Sequence, residues 1–281
     1  MSVTIKRLMV LVAGLLFMAG AQAQFTFGVI PAENNEEAAA RFEPLRKDLE
    51  EQLGQRVRVF FATDYAGIIE AMRRGRVDFA WFGATSGLLA HREAGAVPFA
   101  VGVSRETGSA EYYSHFIVRA DSSFQTLEDL KGRNIAFVDP ASTSGGVVPT
   151  YEVLKKTGQM PEDFFGRLQF AGTHDASVMA VRNGSVDGGV VADFLFDAMV
   201  ARGLINRDEF RVILASDPVP GPPMMIRAAL GEELKTRLTE IITTVHERVD
   251  GPIHMGNMSH YRPADLSEYM GIQEMMDMGL L

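Results

Sequence analysis

The chain is predicted to fold as an α/β protein with two lobes, and three observations carry that prediction. Short apolar strands alternate with helical patterns almost throughout, which is the signature of βα units and mainly parallel sheets flanked by helices. Removing a 23-residue leader from 281 residues leaves about 258, more than one small core uses and enough for two. A helix–strand unit also occurs twice. Residues 68–80 (IIEAMRRGRVDFA) read like residues 178–190 (VMAVRNGSVDGGV): a short helix, a glycine stop, a Val-Asp step and a small-residue strand.

The elements follow in order. Lys6-Arg7, an apolar run over 8–19 and Ala21-Gln22-Ala23 have the charged, apolar and small-residue order of a secretory leader. Cleavage is expected after Ala23, so 1–23 is set aside as a signal peptide. Its apolar run is too short for a membrane span, and no cysteine follows to carry a lipid. Strands are expected at 25–30, 57–62, 79–82, 99–103, 115–119, 135–138, 168–171, 188–191 and 212–215. Helices are expected at 36–53, 65–74, 86–94, 127–130, 146–156, 177–183, 195–202, 232–248 and 266–276. The helices before Gly75 and Gly184 stop at glycine, the usual residue just past a helix end. The Gly/Pro-rich stretch 217–223 reads as a connection crossing between lobes.

Composition excludes several functions. There is no cysteine, which removes disulfides, thiolate metal sites and thiol sensors. The net charge is −9, and loss of Lys6 and Arg7 with the leader takes it to −11. Such a chain is a poor partner for nucleic acid or an anionic membrane. A small anion is still possible, because it needs a few aimed donors rather than a positive protein. No cofactor or metal is expected. His254 and His260 share a loop-like stretch, but no pair of histidines has metal-ligand spacing. The fifteen methionines read as core filler. Gly83-Ala84-Thr85-Ser86-Gly87 puts threonine where a nucleophile elbow needs serine.

The stretch that carries chemistry is Asp139-Pro140-Ala141-Ser142-Thr143-Ser144-Gly145-Gly146. It joins a predicted strand to a predicted helix. Three hydroxyls and the unpaired N–H groups of a first helical turn converge there, and the helix dipole adds partial positive charge. The natural guest is a small oxyanion. The alternative is a plain Ser/Thr cap. The two glycines are read as letting a ligand approach the backbone.

Five separated strings then resemble one family. They are 61–70 (FATDYAGIIE), 77–83 (VDFAWFG), 127–132 (LEDLKG), 139–145 (DPASTSG) and 171–175 (AGTHD). In this order they resemble the periplasmic phosphonate- and phosphite-binding proteins of ABC transporters, over roughly residues 25–228. The resemblance implies a type II-like periplasmic binding fold with the ligand in the cleft between lobes. It implies one lobe of 24–111 plus 216–281 and an inserted lobe of 112–215. Ser142, Thr143 and Ser144 would hold phosphoryl oxygens, His174 would add a donor, and Tyr65 and Tyr112 would close the site. Either Tyr112 or its neighbour Tyr113 could face the cleft. Trp81 and Phe82 read as strand core.

Departures from the family sharpen the ligand. Members that take aminoalkyl phosphonates hold the ammonium with two carboxylates, and this chain aligns Phe194 and Pro222 at those positions. An ammonium would be buried without a counter-charge, so 2-aminoethylphosphonate is expected to bind poorly. Asp193 is expected to accept a P–OH and favour a monoprotonated anion, with a solvated strand-end role as the alternative. The reading is a monomeric periplasmic solute-binding protein that passes phosphite, a small alkylphosphonate or phosphate to an ABC permease, with no catalysis. The alternatives are a sensing subunit for a histidine kinase and an exported hydrolase using Ser142 or Ser144 with His174.

Overall fold

The computed structural model describes residues 24–249 and 258–281; the expected leader and His254 lie outside the described residues. The strands of the first half are β1 (Gln24–Val29), β2 (Arg56–Phe61), β3 (Phe79–Trp81), β4 (Ala96–Ser104) and the short β5 (Glu111–Tyr112). Then come β6 (Ser114–Arg119), β7 (Asn134–Phe137), β8 (Arg167–Phe170), β9 (Gly188–Ala192) and β10 (Phe210–Ala215). The chain returns through β11 (Val219–Pro220), β12 (Pro223–Arg227) and β13 (Met258–Pro263). Between and after them lie α1 (Asn35–Leu53), α2 (Tyr65–Arg73), α3 (Ala84–Ala94), α4 (Val148–Thr157), α5 (Pro161–Phe164), α6 (His174–Arg182), α7 (Asp193–Ala201), α8 (Glu232–Thr243) and α9 (Met270–Asp277).

Two main sheets result. One has the order β13-β4-β12-β3-β1-β2 and the other β10-β6-β9-β7-β8. The α/β class is as expected, but the sheets are mixed rather than mainly parallel. Only β1–β2, β1–β3, β7–β8 and β7–β9 pair in parallel. The others in the two sheets pair antiparallel, because β4, β6, β10, β12 and β13 are not linked to their neighbours by a helical crossover that would restore direction. The two connections between sheets pair with each other: Val219 lies opposite Tyr112, and Pro220 opposite Glu111. His260 sits in β13, not in a loop.

The repeated unit is a real structural one. Gly75 and Gly184 both have φ of 70°, the left-handed conformation that glycine adopts without strain. In each unit the next two N–H groups turn back onto the helix end: Gly75 to Met72 and Arg76 to Ala71, Gly184 to Val181 and Ser185 to Ala180. Each Val-Asp step then ties its strand to the next. Asp78 donates its N–H to Thr26 and accepts the Thr26 N–H on Oδ2 at 2.9 Å. Asp187 makes the same exchange with Asn134, also at 2.9 Å.

The core runs through both sheets. Phe27 stacks on Phe79 and meets Phe42 edge-on, and Phe42 packs against Trp81. A separate cluster under the second sheet joins Val178, Val181, Phe196 and Phe210. The two sheets place the carboxyl ends of β1, β2, β3, β7, β8 and β9, and the helix starts that follow them, around one space. Open α/β sheets bind ligands at such a place.

Candidate functional site

Five helical segments begin at that space. Ser142 caps a tight π-turn, Thr143–Val147, which runs into α4; its Oγ accepts the Gly145 N–H at 3.1 Å. Tyr65 and His174 open α2 and α6, which are capped by Asp64 and Thr173. Gly83 precedes α3, and Asp193-Phe194 opens α7. Helix starts leave N–H groups unpaired and carry partial positive charge, so this space suits an anion without any cationic side chain.

The cavity here is small, with about 20 Å³ of free volume. Its polar lining is Ser142, Thr143, Ser144, His174, Tyr65 and Tyr112, with no Lys, Arg, Asp or Glu among the described residues. The rest is apolar: Ile30, Ala32, Trp81, Gly83, Phe194, Leu195 and Pro222. Ser142, Thr143, Ser144 and His174 are all buried. The Tyr65 phenol pairs with Ser142, and the Tyr112 phenol with Ser144 and Thr143. Burial pushes the Tyr65 phenol far up and the Tyr112 phenol up to about 12, so both stay protonated and can donate.

His174 is neutral for the same reason: burial pulls its pKa down to about 3. Its Nδ1 accepts the Ala192 N–H at 3.1 Å, which leaves the proton on Nε2. The ring therefore offers a donor and no free base.

The site spans both sheets. The His174 N–H donates to Ala32 O at 2.9 Å, and the Thr85 N–H to Thr143 Oγ1 at 2.9 Å. The Asp139 carboxylate accepts the Tyr65 N–H.

Six of the seven residues singled out from the sequence line this cavity. Asp193 does not. Its Oδ1 turns back to the Phe194 N–H at 2.7 Å, as a carboxylate at a helix start does, and it lines an adjoining outer cavity. Tyr112, Phe194 and Pro222 line both cavities and so stand between them. Tyr112 is 6% exposed and lines the inner one, whereas Tyr113 is 37% exposed and lines only the outer. Gly145 and Gly146 do not serve ligand approach. A Cβ on Gly145 would come within 2.3 Å of Val138, and one on Gly146 within 2.3 Å of Asp139 O, so the glycines let the loop pack on its own strand. Trp81 was read as strand core but also forms a wall of the cavity.

The two shifted titrations have opposite signs. Unfolded His174 takes a proton below about 6.5 that the folded site refuses until about 3, so this group makes stability fall as pH drops through that window. Burial raises Asp193 to about 6, well above the usual carboxylate range. The folded state therefore keeps a proton that the unfolded chain has lost, and stability falls as pH rises from about 4 to 6. Between pH 4 and 6 the two slopes oppose. In the unliganded protein, Asp193→Asn should gain about 2 kcal/mol over wild type between pH 4 and 7. Equal wild-type and Asp193→Asn stability profiles by calorimetry would refute it.

The model of the family described as ABC transporter, phosphonate, periplasmic substrate-binding protein matches residues 27–269. The phosphate-import protein PhnD of Mycolicibacterium smegmatis is 35% identical over 222 residues, 76% of this chain and 69% of that one. The phosphonates-binding periplasmic protein of Escherichia coli is 37% identical over 216 residues, 75% of this chain and 63% of that one. The crystal structure of a binding protein component of an ABC phosphonate transporter from Pseudomonas aeruginosa superposes with a TM-score of 0.83 at 29% identity. That match covers 91% of this chain and 86% of the other.

Proposed function

The chain belongs to the periplasmic substrate-binding proteins of phosphonate ABC transporters, and from that premise we propose that it binds a small phosphorus oxyanion for import. One observation carries the reading. Three hydroxyls, two protonated phenols and a neutral histidine donor line one small cavity with no charged side chain among the described residues. A tetrahedral anion presents three oxygens to such donors, and donation to an ionised acceptor in a dry site is strong.

The apolar remainder of the wall selects the fourth substituent. A P–H or P–CH3 group lies against Trp81, Phe194 and Leu195 at no cost, whereas a fourth oxygen loses its water without replacement. The order of preference is phosphite, then methylphosphonate, then phosphate. An ammonium finds no carboxylate in the inner lining, since Phe194 and Pro222 stand where aminoalkyl ligands would need one.

The rest of the proposal follows from the family. The lobes are 24–111 with 216–281, and 112–215, and each main sheet lies within one of them. The leader is cleaved after Ala23, and the mature protein is a periplasmic monomer that passes its ligand to a membrane permease. Among the described residues no helix is long and apolar enough to cross a membrane. No catalysis is proposed, because His174 Nδ1 is occupied by the Ala192 N–H and Nε2 carries the proton. A serine beside it has no base to take its proton.

Thermal shift and calorimetry against phosphite, hypophosphite, methylphosphonate, phosphate, 2-aminoethylphosphonate and sulfate test this. The true ligand raises the melting point by mass action. Phosphite or methylphosphonate should lead, and a ranking led by 2-aminoethylphosphonate would overturn the argument from Phe194 and Pro222.

A further inference from the structure

We infer that Gly83 and the Thr85 amide, at the start of α3 in the first sheet's half, position Thr143 for the ligand only when the two halves meet. The inference rests on the proposed reading of Thr143 as a ligand donor. The Gly83–Gly87 string fails as a nucleophile elbow, yet the fold brings it directly against the oxyanion motif.

The Thr85 N–H donates to Thr143 Oγ1 at 2.9 Å, across 58 residues of sequence. It is one of the N–H groups that a helix start leaves without a helical partner. A threonine hydroxyl has one proton to give and room to accept. With the Thr85 N–H donating into it, the oxygen is turned to give its own proton away from α3, to the Tyr112 oxygen or to an anion between them. Charge drawn from the α3 amide also makes that proton a better donor. Separating the sheets removes the Thr85 amide and frees the Thr143 rotor, so the donor is set by closure itself.

Gly83 enforces the distance. Its φ of −75° is open to any residue, so backbone conformation does not demand glycine here. Space is tight instead: a Cβ would come within 3.0 Å of Thr143 Oγ1, so that hydroxyl would have to give by a few tenths of an ångström, and 3.9 Å of its N. A side chain at 83 therefore meets the opposing half only in the closed form. The Thr85 hydroxyl, by contrast, is buried and has no partner among the described residues, so the amide rather than the side chain makes this contact.

The test uses the full mature protein with phosphite and methylphosphonate as probes. Gly83→Ala should weaken both by about tenfold, mainly through faster dissociation, while keeping a cooperative melt. Thr85→Val keeps the amide and should stay within about twofold of wild type. An ester replacing the Ala84–Thr85 amide removes the N–H while keeping every side chain and should reproduce the Gly83→Ala loss, which covers the case in which the alanine variant folds poorly. Wild-type binding that persists at full strength in Gly83→Ala and in the ester overturns the inference alone. So does a Thr85→Val loss as large as that of Gly83→Ala, since it moves the contact to the hydroxyl. No phosphorus oxyanion binding by the unmodified protein overturns the reading of the site, and the inference with it.

Discussion

Alanine at Ser142, Thr143 and Ser144 together should abolish binding of phosphite and methylphosphonate, with a loss greater than about a thousandfold. A hydrogen bond to an ionised partner contributes about 1.5–3 kcal/mol, and three are removed at once from a cavity with no cationic side chain to compensate. The single changes should differ in what else they disturb. Ser142 also caps the turn through the Gly145 N–H, so Ser142→Ala should cost about 1 kcal/mol of stability as well as affinity. Thr143 also receives the Thr85 amide from the other half. Ser144 holds the fold through its carbonyl, which accepts the Ser114 hydroxyl at 2.6 Å, and that bond survives removal of the Ser144 side chain. Ser144→Ala is therefore the cleanest probe, expected to lose about tenfold or more in calorimetry with an unchanged unliganded melting point. Tight binding by the triple variant would show that the anion sits elsewhere.

Much of this site was legible because its parts are local. A strand, three hydroxyls and a helix lie within a dozen residues of 134–146, and a cap of that kind forms from sequence neighbours. The alternation and the twin helix–glycine–Val-Asp strings were equally local, although the bonds that Asp78 and Asp187 make reach strands about fifty residues earlier. What was hidden depended on distant packing. β12 (Pro-Met-Met-Ile-Arg) slots between β3 and β4 from more than a hundred residues away, and no periodicity records its direction. Trp81 reads as a core residue and is one; that its buried position also borders the cavity depends on α6 and the oxyanion turn arriving from the other half. The place of Asp193 was hidden too. Its carboxylate makes a purely local bond to the next N–H and faces the outer cavity, a placement that depends on how α7 packs. Gly145 and Gly146 were recognised as special, but the close approach they permit is to Val138 and Asp139, not to a ligand.

Arg41→Met should lower the stability of the unliganded protein by about 3–5 kcal/mol, and its melting point by roughly 10 °C. Arg41 lies in the first turns of α1 and pairs with Glu33, which follows the cavity-lining Ala32; their side chains are 10% and 5% exposed. Burial and the nearby Arg202 charge both pull the Arg41 pKa down. Without Arg41, Glu33 keeps only Arg202 as an ion-pair partner among the described residues, at 4.0 Å, and Arg202 is already engaged with Glu37 at 2.5 Å. A buried carboxylate with so little compensation is costly, and that cost, rather than the strength of the pair itself, sets the size of the effect. Adding Glu33→Gln to Arg41→Met should therefore restore about 2 kcal/mol or more, because the double variant no longer buries an unbalanced charge. The surface pair Arg73–Glu70 is the control, since its removal should leave the melting point nearly unchanged. A loss for Arg41→Met as small as that of the control would mean that water reaches Glu33, and the wall beside Ala32 would then be far less rigid than its burial implies.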